Sequence, residues 1–392
     1  MQWLSSKLSS GPAIKADILD AGTELKGSKI AWKLHEGKLK ETGLPCTVFT
    51  WEMTASSTDN ELAAARNALQ RLKKTRHPAV LQYLDGVDPE AAKPGSKVII
   101  VTEHVKSLEE CLAKEPAASN KEGTVWGLHV VAQALQFVTE ECKLIHGNVS
   151  RSAIFVSDCG DWKLAGFELM SENTDTNSLL RRCEQLRIKR VLPPEVSKGI
   201  WTAVADNAHA IDMWSYGCLM HEVYNGMLAR PEDLKDTSRL PPEIVPLYQS
   251  TLKADPSKRP RGQVVLDNAF FRTQLVWINK ELSKMQLLEP GEKEKLFLKL
   301  AECLDSLPEV YLRQPFLKSP PHGGSSYRKY TRTLTFEILW QEETPAGTIK
   351  GSRIWRGGHS SYSSDAQDWT ENEAGRILAG NRPRCRALFQ ID

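Results

Sequence analysis

Hydrophobic and polar positions divide the chain into a strand-rich part followed by a helical part. Residues 30–53 hold two runs of β-branched and aromatic residues around a glycine-containing turn, which is typical of a β-hairpin. A helix capped by Asp59 or Asn60 is expected after the hairpin, and further strands are expected at 79–88 and 97–105. The apolar face of that helix consists of Leu62, Ala65, Leu69 and Leu72. The pattern predicts a small strand-rich lobe with one helix.

After about residue 107 the pattern becomes helical. Residues 124–144 predict a long amphipathic helix, and residues 154–167 predict a short hairpin with Gly160 in its turn. Residues 211–226 are almost wholly apolar, which favours a buried helix. Residues 265–314 continue as helices whose spacing is compatible with the start of an α-solenoid.

Composition and charge narrow the class of protein. The chain is 41% hydrophobic and 26% charged with a net charge of +2, which does not favour a nucleic-acid binder. The eight cysteines are scattered without zinc-knuckle spacing, which indicates reduced thiols in the cytoplasm. No apolar run approaches the ~18 residues of a transmembrane helix, and the start lacks a secretory signal. A basic run at 181–190 is interpreted as a solvated loop.

Five short motifs follow one another in the order found in protein kinases. Residues 146–156 stand at the catalytic loop H-R-D-L-x-x-x-N, and residues 162–168 stand at the metal-binding D-F-G. Residues 192–195 resemble A-P-E, residues 212–217 match D-x-W-S-x-G, and residues 259–260 match the late arginine. Each motif is weak alone, but five in order predict an α+β, bilobal protein-kinase-like fold.

The positions that perform phosphoryl transfer in a kinase hold residues that are unable to do so. Asn148 stands where an aspartate accepts the substrate proton, and an amide is not a base at neutral pH. Ala153 and Gly166 replace the two metal ligands, while Phe49 and Ala68 replace the lysine and glutamate of the phosphate-orienting ion pair. The sequence therefore predicts an inactive kinase fold without a catalytic residue, a metal or a confident cofactor.

Other kinase positions are retained and are interpreted as structural. Glu195 and Arg259 are expected to form an ion pair in the large lobe. Asp212 is expected to hold the catalytic-loop backbone, Trp214 to pack in the core, and His146 to be a buried histidine rather than a catalytic one. These residues predict that the fold is kept while the reaction is lost.

One alternative remains open from the residues. Thr102, Glu103 and Val105 stand at the gatekeeper and hinge positions, where an adenine-shaped pocket would form. An unorthodox protein serine/threonine kinase that retains ATP binding would also need a displaced lysine and two carboxylates in the cleft. The candidates for those groups are Lys33, Glu168 and Asp161.

The HGN sequence at 146–148, the WKL-x-G element at 162–166, Phe49 and the PPE element resemble the N-terminal kinase-like (Scyl) pseudokinases. The resemblance covers about residues 25–314. It implies a scaffold in the cytoplasm, peripheral to Golgi membranes, that acts in traffic between the Golgi and the endoplasmic reticulum. Such proteins bind coatomer through a basic tail and small GTPases through HEAT repeats. After about residue 314 the expected repeats stop, and the coatomer-binding tail has no counterpart.

These observations predict four segments. Residues 1–24 are expected to be a flexible leader, and residues 25–270 form the pseudokinase domain. Residues 271–314 are expected to be the helical start of a HEAT-like solenoid. Residues 315–392 are rich in Ser, Gly and Pro without a sustained period, which predicts a poorly ordered tail.

Overall fold

A computed structural model describes residues 14–90, 92–284, 287–289, 292, 295, 296 and 299, and the backbone of 337–343 and 349–356. The chain divides into two compact units, residues 1–315 and 316–392. Within the described residues, no helix has the length and apolar character needed to cross a bilayer.

The small lobe is built on a six-stranded antiparallel sheet. Its strands are β1 (Ala16–Ile18), β2 (Thr23–Glu24), β3 (Lys33–Leu39), β4 (Pro45–Glu52), β5 (Tyr83–Val87) and β6 (Lys97–Glu103). The order across the sheet is β1-β3-β4-β6-β5, and β2 also pairs with β3. The predicted hairpin is therefore formed by β3 and β4.

The prediction of a loose leader through residue 24 is wrong from Ala16 onward. Ala16 pairs with Leu39 and is only 3% exposed, so β1 extends the sheet at its edge. Thr23 and Glu24 pair with β3 as well. The short segment has too few apolar residues to signal a strand, and its order comes from the strand beside it.

Helix α1 (Asp59–Lys74) packs its apolar face into the lobe. Its cap is Thr58 rather than the predicted Asp59 or Asn60. The Thr58 hydroxyl accepts a hydrogen bond from the Glu61 N–H (3.3 Å), and the Glu61 carboxylate accepts one from the Thr58 N–H (2.7 Å). This reciprocal capping box satisfies two backbone donors at the helix start.

The large lobe is mainly helical, with two small sheets ordered β10-β9-β7 and β11-β8. Their strands are β7 (Val105–Ser107), β8 (Leu144–Ile145), β9 (Ile154–Ser157), β10 (Trp162–Leu164) and β11 (Ser171–Glu172). The helices are α2 (Leu108–Lys114), α3 (Lys121–Gln136), α4 (Leu179–Arg182), α5 (Pro194–Ser197), α6 (His209–Asn225), α7 (Val245–Thr251), α8 (Gly262–Leu266) and α9 (Gln274–Lys284). Strands β9 and β10 form the predicted hairpin around Gly160.

Helices α3 and α6 form the centre of this lobe. The buried Tyr216 hydroxyl on α6 donates to the Leu128 carbonyl on α3 (2.9 Å). A Cβ atom at Gly127 would lie 2.2 Å from the ring of Trp162, so the glycine is what lets β10 approach α3. Most residues of α6 are buried, as its largely apolar sequence predicted.

The predicted segment 271–314 begins as part of the large lobe. Helix α9 packs against α3, and its Leu275 and Ile278 are buried. Most of 285–314 lies outside the described residues, so the predicted solenoid start is not tested there. Within the predicted tail, β12 (Glu337–Glu343) and β13 (Ile349–Arg356) pair as an antiparallel hairpin, and the rest of 315–392 lies outside the described residues.

Candidate functional site

The cleft between the two lobes is filled by aromatic rings. Phe49 on β4 is 6% exposed, and its ring packs edge-to-face against Trp32 (6.5 Å) and Phe155 (5.1 Å). Ala68 on α1 lines the same space, so the two positions of the kinase ion pair both present apolar groups. Edge-to-face rings attract one another beyond their burial, which favours this closed packing.

Little space remains in the cleft. The cavity that Phe49, Ala68, Asn148 and Gly166 line has a volume of about 30 Å³. This volume holds about one or two water molecules, whereas pockets for small ligands measure about 300–1,000 Å³. The residues present therefore do not fit the ATP and magnesium that a kinase cleft holds.

The hinge hydrogen-bonding groups are occupied by threonine hydroxyls. The Thr47 hydroxyl accepts a hydrogen bond from the Val105 N–H (2.9 Å) and donates to the Val105 carbonyl (3.1 Å). The buried Thr102 hydroxyl donates to the Glu103 carbonyl (2.9 Å). The adenine pocket of the alternative interpretation would use Thr102, Glu103 and Val105. None of these residues lines the cavity, and the Glu103 carbonyl and the Val105 N–H are bonded within the protein.

A buried carboxyl group replaces the metal site. Glu168 accepts hydrogen bonds from the Trp32 indole N–H (2.8 Å) and from the Asn148 amide (2.9 Å). The Asn148 amide also donates to the Gly166 carbonyl (3.1 Å). Burial raises the pKa of Glu168. This network joins the small lobe, the catalytic-loop position and the D-F-G position.

Helix α1 is tied to the same segment by Asn67. Its amide nitrogen lies 3.1, 2.9 and 3.1 Å from the carbonyl oxygens of Phe167, Glu168 and Met170. In an active kinase the connection from this helix would be the ion pair at Phe49 and Ala68. Sequence reasoning missed Asn67, and the available signal was a polar residue beside Ala68 on the buried side of a helix.

The Gly166 position has no room for a metal-binding side chain. Gly166 has a φ of +77°, and a Cβ atom there would lie 2.7 Å from the Cβ of Ala153. Among the described residues, no group of three or more His, Cys, Asp or Glu side chains is arranged to hold a metal ion. The two metal-ligand positions thus pack against each other.

The groups that would favour an ATP-binding alternative do not converge. Lys33 is exposed on β3, and Asp161 accepts a hydrogen bond from the Trp126 indole (2.9 Å). Of the three candidates, only Glu168 lines the cleft. Lys33, Glu168 and Asp161 therefore do not form the group of charges that the ATP-binding alternative would need.

The predicted structural residues form a connected frame in the large lobe. Arg259 donates two hydrogen bonds to the Glu195 carboxylate (2.6 and 2.9 Å), and both side chains are buried. The Arg259 guanidinium stacks 4.9 Å from the ring centre of Trp214, which is partly buried rather than fully in the core. The bidentate geometry is the strongest form of this contact.

His146 and Asp212 hold the catalytic-loop backbone. Asp212 accepts hydrogen bonds from the backbone N–H groups of His146 and Gly147, both at 2.8 Å, and burial raises its pKa to about 6. His146 is fully buried and lies 2.8 Å from the Ala165 carbonyl, to which its ring N–H donates. Burial lowers the pKa of His146 to about 4. The prediction of a packed core histidine is confirmed.

The basic run at 181–190 is not simply a solvated loop. Arg187 is 4% exposed, and both Arg181 and Arg187 stack over the Trp201 ring at 4.9 and 5.8 Å. Arg190 pairs with the buried Glu222 carboxylate at 2.9 Å. The cationic side chains hold the activation-segment region against the lobe, and sequence alone did not indicate the partners.

Comparison with known proteins finds similarity to protein kinases over most of this region. A family model described as protein tyrosine and serine/threonine kinase matches residues 31–267. The probable inactive serine/threonine-protein kinase scy1 of Dictyostelium discoideum is 33% identical over 282 residues, 71% of this chain and 33% of that protein.

Two mammalian proteins are more distant relatives. The protein-associating with the carboxyl-terminal domain of ezrin of Mus musculus is 27% identical over 244 residues, 62% of this chain and 31% of that protein. SCY1-like protein 2 of Homo sapiens is 23% identical over 220 residues, 51% of this chain and 24% of that protein. The chain thus spans about a third or less of these relatives. It belongs to the protein tyrosine and serine/threonine kinase family, with Scy1 and SCY1-like proteins among its relatives.

Proposed function

We propose that this chain is a catalytically inactive, kinase-like scaffold that acts by binding other proteins. The observation that carries the proposal is the filled cleft, in which Phe49 packs between Trp32 and Phe155 and leaves about 30 Å³. A nucleotide would have to displace these rings and break the hydrogen bonds between Thr47 and the hinge. Both changes oppose binding.

The chemistry of the degenerate positions supports the same proposal. Asn148 donates its amide protons to Glu168 and Gly166, so it is engaged as a donor at the place where a proton acceptor is needed. Ala153 offers no ligand atom, and Gly166 offers no carboxylate for magnesium. Phosphoryl transfer depends mainly on positioning and charge stabilisation. In an active kinase, the residues at these three positions contribute to both.

The names of the relatives agree with inactivity and with protein binding. One relative is named a probable inactive kinase, and another is named for its association with the carboxyl-terminal domain of ezrin. We propose traffic between the Golgi and the endoplasmic reticulum as the setting, with coatomer or small GTPases as partners. This finer part rests on the Scyl resemblance, and the chain would act in the cytoplasm or at the periphery of Golgi membranes.

Thermal melting of the full chain with and without millimolar ATP, each with and without magnesium, tests the inactive-cleft proposal. A ligand at a hundred times its Kd adds about 2.7 kcal/mol, which corresponds to a shift of about 5–10 °C for a domain of this size. We expect no shift, while an active kinase measured in parallel shifts. A magnesium-dependent shift would overturn the proposal.

The proposed setting is tested separately. Purified coatomer and a panel of purified small GTPases are passed over the immobilised full chain at physiological salt. Saturable binding of one of them supports the Golgi proposal. Failure of all of them, together with a fluorescent fusion that does not overlap a Golgi marker, removes that setting without affecting the inactive-cleft proposal.

A further inference from the structure

A second cavity lies at the C-terminal end of α6, away from the cleft residues. Its volume is about 200 Å³, several times that of the space left in the cleft. The cavity is lined by the end of α6 and the segment after it: His221, Asn225, Gly226, Met227, Leu228, Asp233 and Asp236. Most of the groups that it presents are polar.

Two side chains in this cavity carry buried polar atoms without a partner. His221 is 3% exposed and stacks on Tyr248 (6.2 Å), and neither of its ring nitrogens has a hydrogen-bond partner among the described residues. The side-chain oxygen of Asn225 is likewise buried and unpartnered within that part of the chain. Buried polar atoms are normally paired. An amide oxygen only accepts hydrogen bonds, so the Asn225 oxygen is available to a donor group.

The charge around the cavity favours a cation. Asp233 and Asp236 both line it, and a helix C-terminus carries about half a negative charge. The last turn of α6 contains no basic residue to offset that charge. Arg151 does reach the Glu222 carbonyl (3.4 Å), but its own charge is already paired with Glu109 (2.8 Å).

The existing hydrogen bonds leave Asp236 as the main free acceptor. Asp233 already accepts from the backbone of Ala229 and Arg230 and pairs with the Arg230 side chain (3.2 Å). Asp236 is exposed and accepts from the Ser238 N–H (2.9 Å), and the Ser238 side chain and backbone, with the nearby charge of Arg239, lower its pKa. A carboxylate has about four lone-pair sites, so Asp236 retains the capacity to bind a donor group.

We propose that this cavity binds a guanidinium group. The planar guanidinium has five N–H donors, which suit the Asn225 oxygen, the Asp236 carboxylate and a histidine nitrogen together. Met227 is 47% exposed at the rim and offers apolar surface to the alkyl stem. A metal ion fits less well, since no metal-holding group of side chains is found in the described part of the chain. The guanidinium belongs either to an arginine side chain of a partner protein or to a free small molecule.

Isothermal titration of the purified full chain with two probes tests the proposal. The probes are agmatine and the blocked peptide acetyl-Gly-Arg-Gly-amide, and the control is the same peptide with citrulline, which is uncharged. We expect one saturable site for a guanidinium probe and binding of the citrulline peptide weaker by about tenfold, the loss of a charge-assisted hydrogen bond. Tighter binding of the peptide identifies a protein partner as the source, and equal or tighter binding of agmatine identifies a free molecule.

Three variants locate the site. Asp236→Asn keeps the bond from the Ser238 N–H but removes the charge of an exposed carboxylate, and we expect affinity to fall about two- to fivefold. Asn225→Leu removes the acceptor oxygen and places an apolar group at the cavity wall, and we expect weaker binding of both guanidinium probes. Asp206→Asn is the matched control, since this exposed residue precedes the opposite end of α6, about 25 Å away along the helix. Absence of saturable binding, equal binding of citrulline, or equal affinity in folded Asp236→Asn and Asp206→Asn overturns the proposal. These results do not depend on the cleft and are independent of the ATP experiment.

Discussion

Two glutamates, each 6% exposed, are stabilised in different ways in the large lobe and in the cleft. Glu195 receives a bidentate ion pair from Arg259 at 2.6 and 2.9 Å. Glu168 receives hydrogen bonds from the neutral groups of Trp32 and Asn148, and burial raises its pKa. The first arrangement belongs to the frame of the large lobe, whereas the second lies beside Gly166, at the position where a kinase has its metal-binding aspartate.

This difference indicates that the kinase fold and the kinase reaction depend on separate residues. Removing Arg259 would leave a buried carboxylate without a cation, so the frame tolerates little change. The cleft needed its charges only for nucleotide chemistry, and apolar or neutral groups fill the same volume without that cost. A kinase fold therefore loses its activity more easily than its large-lobe ion pair.

The largest effect is expected from the frame. Arg259→Met leaves Glu195 buried without its partner, and we expect a loss of about 3–5 kcal/mol in the free energy of unfolding. Urea denaturation followed by circular dichroism measures this loss. The double variant Glu195→Gln with Arg259→Met should recover part of the stability, and a loss below about 1 kcal/mol in the single variant would contradict the comparison.

The second largest effect is expected from a substitution that opens the cleft. Phe49→Ala removes a buried ring and should cost about 3 kcal/mol in the free energy of unfolding. The same urea experiment measures it. ATP should still not raise the melting temperature, because Thr47 continues to occupy the hinge groups. Stabilisation of Phe49→Ala by ATP would show that the ring alone excludes the nucleotide.

Glu168→Gln sharpens the comparison between the two glutamates. Both oxygens of Glu168 accept hydrogen bonds, from Trp32 and Asn148. A glutamine amide has one oxygen, and its NH2 group would face one of these two donors. We therefore expect the free energy of unfolding to fall by about 1–3 kcal/mol. Because the pKa of Glu168 is raised above its ordinary value of 4.5, its stabilising effect is fully present below pH 4.5. The difference in free energy of unfolding between wild type and variant should decrease as pH rises above 4.5. A gap that widens would mean that the pKa is lowered.

The smallest effect at neutral pH is expected for His146→Gln, which preserves a donor toward the Ala165 carbonyl. The pKa of His146 is lowered from 6.5 to about 4, so its contribution is fully present above pH 6.5 and is lost as pH falls toward 4. Wild type should lose about 1.4 kcal/mol per pH unit in this window relative to the variant. Parallel pH profiles of the free energy of unfolding would contradict the lowered pKa of His146. This pH dependence runs in the opposite direction to that expected for Glu168.

Local patterns in the sequence predicted the two lobes of the kinase fold. The hairpin of β3 and β4, the buried helix α6 and the order of kinase motifs all follow from short-range periodicity and spacing. The hydrogen bonds between Thr47 and the hinge were not predictable in this way. Thr47 and Val105 are separated by 58 positions, and nothing in either segment indicates that a hydroxyl takes the hinge bonds.

The sequence indicated the fold family, because the kinase motifs are recognised from the order and spacing of residues along the chain. The absence of catalytic side chains stays a prediction from the sequence. Tertiary structure decided how the residues at the kinase catalytic positions pack. The Trp32 and Glu168 side chains meet across 136 positions. Ala16 pairs with Leu39 and packs in a buried cluster with Cys46 and Val48. Arg187 similarly finds Trp201 only in the folded lobe. These contacts depend on which surfaces the lobes bring together, and hydrogen bonding and burial act there on residues that have no local signal.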